Sequence, residues 1–155
     1  MAAGVLAREG LPEHGELRAY RLTDRPELLL EVLREADGRA WQLRVPVGGR
    51  EALTRLVREA GPALRTPERL AFDAEGMALL GEVALGPDDG LAAVALAQGP
   101  ERAFALWRRE RLRTGWSWTI DLVLVPIEHG PHLCSFVQGA LAAAEPPSMQ
   151  RRRLQ

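Results

Sequence analysis

The apolar positions in the first part of the chain follow a two-residue period, which then changes to a helical period. Alternation of this kind is typical of half-buried strands. The segments that carry it are residues 16–22, 26–36 and 41–47. The pair Asp37-Gly38 between the last two segments is a strong hairpin signal. Residues 50–60 then have helical spacing, and Gly61-Pro62 is expected to end that helix. The predicted buried face of the helix consists of Leu53, Leu56, Val57 and Ala60.

The same order of patterns returns in the second part of the chain. Short apolar segments are separated by turns rich in Gly and Pro, as in an antiparallel meander. These segments are residues 69–73, 77–85, 91–98, 102–111 and 116–125. The sequence His129-Gly130-Pro131 then predicts the start of a helix, because a proline in the first turn loses no hydrogen bond. Its predicted buried face consists of Leu133, Val137, Ala140, Leu141 and Ala144.

Together the patterns predict an α+β fold in which an antiparallel β-meander followed by a helix occurs twice. Two sheets would then each pack against a helix. We expect a single domain over residues 16–144, with a first unit at 16–62 and a longer second unit at 66–144. Residues 1–15 are predicted to be a flexible lead-in and residues 145–155 a flexible basic tail. The repeat is predicted as one of pattern and not of residue identity.

The composition favours a soluble protein with charge of opposite sign in its two parts. Every basic side chain is Arg, whose planar fork pairs with phosphate and stacks on flat rings. Residues 1–101 contain 12 arginines and 17 acidic residues, a net charge of −5, whereas residues 102–155 contain 8 arginines and 4 acidic residues, a net charge of +4. The single cysteine excludes an internal disulfide framework. With no apolar run of membrane-spanning length, a cytoplasmic protein is expected.

One stretch, residues 102–118, has the composition of a nucleic-acid interface. It holds five arginines, one glutamate and three of the four tryptophans. Guanidinium groups neutralise phosphates and indole rings stack on unpaired bases. Strand alternation places Trp107, Arg109 and Arg111 on one face and Arg108 with Glu110 on the other. The predicted nucleic-acid-binding residues are Arg102, Trp107, Arg108, Arg109, Arg111, Arg113, Trp116 and Trp118.

An alternative interpretation of part of this stretch stays open. The side chains from Trp116 to Leu124 form an i, i+2 apolar series, and tryptophans in such a series are more often core residues than stacking platforms. Arginine on the solvent face of a hairpin is also common. Trp107 and its neighbouring arginines are therefore the better candidates for a binding surface.

The sequence contains no recognisable catalytic or metal-binding constellation. Its three serines lack the context of a nucleophile elbow, and Asp88-Asp89 is expected to be a solvated turn. His129, His132 and Cys134 lie close in sequence, but the last two would point about 200° apart on a helix and could not easily share one ion. We expect no catalytic residues, no metal and no cofactor, with Cys134 a small buried hydrophobe.

Two stretches carry a resemblance to a known group of proteins. They are residues 28–60 (LLLEVLREADGRAWQLRVPVGGREALTRLVREA) and residues 102–144, where a basic-aromatic hairpin leads through IDLVLVPIEHGPHLCSFVQGALAAA. In the order of elements they resemble PUR-repeat and Whirly-type single-stranded nucleic-acid-binding proteins. The resemblance implies sequence-tolerant binding of single-stranded DNA or RNA on the sheet faces, a homo-oligomer and no enzymatic activity. The second unit has one predicted strand more than this pattern, and the first unit is acidic.

Two functions follow as hypotheses. In the first, the chain is a non-catalytic protein that binds single-stranded nucleic acid through the Arg/Trp-rich sheet face. In the second, the same sheets form a protein-interaction surface of a dimeric, chaperone-like adaptor without nucleic-acid binding. Tryptophan and arginine are also enriched in protein interfaces, so composition alone does not separate the two.

Overall fold

A computed structural model describes residues 3–112 and 115–144, and for residues 3, 98, 112 and 115–120 only the backbone. Short 3-10 turns at Val47–Gly49 and Ile127–His129 lead into the two helices. The elements are β1 (Ala3–Leu11), β2 (Gly15–Leu22), β3 (Glu27–Arg34), β4 (Ala40–Pro46), α1 (Arg50–Arg65), β5 (Met77–Gly86), β6 (Asp89–Gln98), β7 (Glu101–Leu112), β8 (Gly115–Pro126) and α2 (Gly130–Ala143).

The predicted α+β fold is confirmed. The strands form two four-stranded antiparallel sheets, β1-β2-β3-β4 and β5-β6-β7-β8, each followed in sequence by one helix. The predicted hairpin at Asp37-Gly38 joins β3 to β4, and Gly38 has the positive φ of 68° that such a turn requires. The predicted helix faces are also confirmed, because all their residues are buried.

Each helix packs against the sheet of the other unit. Helix α1, which follows the first sheet, contacts β5 and β6, whereas α2, which follows the second sheet, contacts β1 and β2. A side chain at Gly81 on β5 would meet Leu56 and Glu59 of α1, so this glycine permits close approach of helix and sheet. The two helices also contact each other, with Leu64 of α1 packed against Gly130 of α2. One continuous core results, which contains side chains from both sheets and both helices.

The repeat of pattern is accompanied by a short match in sequence at an offset of 80, which covers the strand-to-helix junction and the buried face of the helix that follows. Val45-Pro46-Val47 and Val125-Pro126-Ile127 occupy the same strand-to-helix junction. Both prolines have extended backbone, with φ and ψ of −56° and 142° in the first and −53° and 145° in the second. Buried helix positions also match: Leu53 with Leu133, Val57 with Val137 and Ala60 with Ala140. These matching helix residues are all buried, where packing constrains the side chain.

Three predicted boundaries differ from the structure. Residues 3–11 were expected to be a flexible lead-in but form β1, because β2 supplies backbone partners and α2 covers the strand. The segment 69–73 is not a strand. Instead Asp73 accepts hydrogen bonds from the backbone N–H of Glu75 and Met77 and turns the chain. The second unit therefore has four strands, like the first.

Helix α1 continues through Gly61-Pro62 to Arg65, where an end was expected at the proline. Pro62 removes one helical hydrogen bond, but the carbonyl it leaves belongs to exposed Arg58, which water can reach. Continuation of the helix buries Leu64 in the core.

The predicted tail at residues 145–155 lies outside the described residues. No helix among the described residues is long and apolar enough to cross a membrane.

Candidate functional site

The second sheet has an inner face that belongs to the core and an opposite face, here called the outer face. Core residues such as Phe104, Leu106 and Val123 point inward. The pairing register places the alternate positions together on the outer face, since residues directly opposite in antiparallel strands share a face. These positions include Leu79, Ala92, Val94, Leu96, Ala103, Ala105, Trp107, Arg109, Leu122 and Leu124.

Trp107 is the described tryptophan on this outer face; the residue is partly exposed, and its indole Nε1 is buried. It pairs in register with Ala92 on β6, and Ala105 precedes it by two residues on the same face. Both alanines are fully buried.

The outer face also includes the described side chains of the apolar series on β8. Leu122 and Leu124 are only partly buried, whereas Val123 and Val125 between and after them belong to the core. These two leucines therefore lie outside the core cluster. The side chains of Trp116 and Trp118 lie outside the described part, although their backbones pair with Arg111 and Arg109.

The arginines at the far end of β7 differ in what they contact. Arg109 forms an ion pair with Glu82 of β5 across the sheet. Arg111 is exposed, and its backbone N–H donates to the carbonyl of Asp88 at 2.8 Å. Arg113 lies outside the described residues. Of the described arginines here, Arg111 has the greatest access to solvent.

Arg108 points to the opposite side and joins the two sheets. Its Nε and Nη2 donate to the two carboxylate oxygens of Asp89 at 3.1 and 2.7 Å, and Nη1 donates to the carbonyl of Arg44 on β4 at 2.8 Å. The pKa of Arg108 is raised, first by the hydrogen bond to Asp89. Asp89, expected as a solvated turn residue, is therefore part of a structural ion pair. Arg108 was predicted to bind nucleic acid, but its guanidinium is already engaged within the protein.

Arg102 lies at the other end of β7 and lines a groove between the two sheets. Its guanidinium stands over the ring of Phe72, 4.9 Å from the centroid, and Nη1 donates weakly to the carbonyl of Pro67 at 3.4 Å. Among the described residues it has no carboxylate partner. This predicted site residue therefore has an uncompensated charge next to a cavity.

The groove has a volume of about 740 Å³ and takes its walls from both units. The first unit contributes His14, Arg34 and Trp41, and the second contributes the ends of β6, β7 and β8. Three of its lining residues, Leu96, Ala103 and Leu124, also belong to the outer face, so groove and outer face are continuous.

Charges around the groove are partly neutralised within the protein. Arg34 donates to both carboxylate oxygens of Asp37, and this hydrogen bonding lowers the pKa of Asp37 to about 2. His14 has a lowered pKa because burial, and then the neighbouring His129 and Arg34, disfavour its charged form. The rings of His14 and His129 lie 6.1 Å apart.

The first sheet offers no comparable cationic surface. On its outer side Arg8, Arg18, Glu16 and Glu31 form a chain of ion pairs. Hydrogen bonds from Arg8 and Arg18 lower the pKa of Glu16 to about 2. Glu16 and Glu31 are therefore neutralised by arginines of the same face rather than left to repel phosphate.

The residues considered for a metal site are separated. His132 Nε2 lies 2.9 Å from the carboxylate of Glu9 on β1. Cys134 is buried in the core, and burial raises its pKa to about 11. Over residues 3–112 and 115–144 there is no group of three or more His, Cys, Asp or Glu that could hold a metal ion.

The sequence analysis missed the part of the site that comes from the first unit. Trp41 lines the groove, and the guanidinium of Arg39 stands 4.2 Å from the centroid of its ring. The signal in the sequence was the Arg-Ala-Trp order after the hairpin, which places Arg39 and Trp41 on one strand face.

The sequence matches no protein-family model and no curated protein at a significant level.

Proposed function

We propose that this protein binds single-stranded nucleic acid along the outer face of its second sheet. The observation that carries the proposal is the partly exposed Trp107, set between small residues and beside Arg109 and Arg111. The same face continues to the groove that Arg102 lines. From residue 103 to residue 111 the strand extends about 26 Å, at roughly 3.3 Å per residue.

In the proposed complex, arginines contact the phosphates and an aromatic ring contacts a base. Phosphates attract Arg111 on the outer face and Arg102 in the adjoining groove, whereas an unpaired base can stack on the ring of Trp107. A duplex keeps its bases stacked inside and cannot use the ring. Preference for single strands would therefore come from Trp107, and salt-dependent affinity from the arginines.

The first experiment is a fluorescence-anisotropy titration of single-stranded and double-stranded oligonucleotides at two salt concentrations. We expect measurable single-strand affinity at low salt that falls as salt rises, because binding releases counterions. Trp107→Leu should reduce single-strand affinity roughly 5- to 100-fold, the range given by loss of one stacked base. Arg111→Ala should weaken binding and reduce its salt dependence, and Arg55→Ala, which removes an exposed arginine from α1, is the matched control. If single strands show no measurable affinity at low salt, the proposal fails.

A second candidate, a protein-interaction surface that makes a homo-oligomer, is favoured by one observation. Leu79 is 60% exposed on the outer face of edge strand β5. Exposed aliphatic residues on an edge strand invite pairing with another chain. Sedimentation velocity of the wild type and of Leu79→Glu tests this: dissociation of an oligomer by the substitution supports it, and a monomeric wild type contradicts it.

A further inference from the structure

The groove between the sheets combines an aromatic ring, acceptors and unneutralised arginines in one place. Trp41 supplies the ring, and Glu101 and Glu128 supply carboxylates. His14 and Arg34 line the same groove as these two carboxylates. These groups therefore surround one space.

We propose that this groove binds one nucleotide whose base carries an exocyclic amino group. The base lies against Trp41, and its amino group donates to Glu101 or Glu128. The phosphate lies at the rim on Arg102, and Arg39, which stands over the ring of Trp41, is a second guanidinium next to the groove. The inference deepens the proposed function and rests on it for the choice of a nucleotide as ligand.

The lining of the groove explains why a base, rather than the phosphate, enters it. Leu96, Ala103 and Leu124 give apolar walls suited to a flat ring. Carboxylates accept hydrogen bonds from the amino groups of cytosine, adenine and guanine, whereas they would repel phosphate. His14 adds a polar atom: its Nε2 is buried and has no hydrogen-bond partner among the described residues.

The two rim arginines explain where the phosphate lies. Arg34 is occupied by Asp37, but Arg102 and Arg39 have no carboxylate partner in the described part of the chain. Each instead stands over an aromatic ring, Arg102 over Phe72 and Arg39 over Trp41. Guanidinium groups held in this way keep their N–H edges available for phosphate oxygens.

The size of the groove fits the proposed ligand. Its volume of about 740 Å³ lies within the usual 300–1,000 Å³ of small-molecule sites. The shared chemistry is that of a nucleoside phosphate, which can come from a free mononucleotide or from one residue of a single strand. Because groove and outer face are continuous, a strand on the outer face can place one nucleotide in the groove.

The test is isothermal titration of the full chain with AMP, CMP and UMP, together with anisotropy titrations of oligo-dA, oligo-dC and oligo-dT. We expect the adenine and cytosine ligands to bind about 5- to 10-fold more tightly than the uracil and thymine ligands. Trp41→Leu and Arg102→Ala should each weaken binding of adenine ligands roughly 10-fold. The double substitution Glu101→Gln with Glu128→Gln should change the base preference. Arg55→Ala is the control and should change neither.

The outcomes separate this inference from the proposed function. If Trp107→Leu weakens oligonucleotide binding while Trp41→Leu and Arg102→Ala do not, the groove inference is wrong and the proposed function stands. If AMP binds and oligonucleotides do not, the groove takes free nucleotides and the proposed function fails. If AMP shows no binding but the groove variants weaken oligo-dA binding, the ligand is one nucleotide of a single-stranded nucleic acid. Absence of all binding overturns both. Because Arg102 is exposed, its variant tests the idea even if Trp41→Leu unfolds the chain.

Discussion

Replacement of Arg108 by alanine should destabilise the protein because this side chain joins the two sheets. The guanidinium binds the carboxylate of Asp89 on β6 through two hydrogen bonds and the carbonyl of Arg44 on β4 through a third. Arg108→Ala would leave that carboxylate and that carbonyl without this partner. The sheets would keep their common core but lose the polar connection at this end.

The expected magnitude lies between the values for exposed and buried ion pairs. The side chains of Arg108 and Asp89 are 22% and 30% exposed, so solvent screens the pair in part. Exposed pairs contribute about 0–1 kcal/mol, and hydrogen bonds to charged groups about 1.5–3 kcal/mol. We therefore expect the free energy of unfolding to fall by about 2 kcal/mol. For a chain of this length that corresponds to a Tm lower by about 4–8 °C.

Urea unfolding followed by circular dichroism measures the change, with Arg55→Ala as a control that should stay within about 0.5 kcal/mol of wild type. A double-mutant cycle with Asp89→Ala should give a coupling of about 1 kcal/mol. A loss below 0.5 kcal/mol for Arg108→Ala, or no coupling, would refute the structural role. If Arg108→Ala is as stable as wild type but binds oligonucleotides more weakly, Arg108 is a binding residue.

Three further changes have sharp expected outcomes. Gly15→Ala should destabilise the protein by about 1–3 kcal/mol or prevent folding, because its Cβ would clash with the carbonyl oxygen of Leu33. A Cβ at Gly10 would meet nothing, so Gly10→Ala should fold normally, and thermal melts compare the two variants. Because the pKa of His14 is lowered in the folded protein, the unfolded chain takes up this proton at higher pH than the folded one. The free energy of unfolding should therefore fall as pH drops below about 6.5, and in His14→Gln the urea midpoint should depend less on pH in this range. Cys134, whose pKa burial raises to about 11, should react with iodoacetamide at pH 8 at least about 100-fold more slowly in the folded protein than in denaturant.

The regular elements could be predicted from the sequence because their periodicity is strong. Leu28, Leu30 and Val32 alternate along β3, and all three are buried. Strand β1 could not be predicted in this way, since Leu11 is its one fully buried aliphatic side chain among those described. Its strand conformation comes from pairing with β2, which is a tertiary contact. Local patterns identify the elements that carry their own amphipathic stripe, and miss those that a neighbour imposes.

The packing of each helix against the sheet of the other unit could not be predicted from the sequence either. Both helices have an apolar face and a preceding sheet, so each could cover its own sheet equally well by periodicity. The glycines show the actual arrangement, because Gly81 admits α1 onto β5 and Gly130 admits Leu64 of α1 onto α2. A small residue in a strand becomes informative only once the element that approaches it is known.

The candidate site in the structure differs from the predicted one for a similar reason. The sequence gives the positions of the arginines but does not show which of them are neutralised. Arg108 and Arg109 lie in the densest basic stretch, yet their carboxylate partners, Asp89 and Glu82, are 19 and 27 residues away in the chain. Arg102 sits at the edge of the same stretch and keeps an uncompensated charge because its neighbours are Phe72 and a backbone carbonyl. The surface potential therefore follows tertiary pairing rather than local composition. A binding site inferred from charge should accordingly be centred on Arg102 and the groove, with Trp107 as the ring that connects it to Arg111.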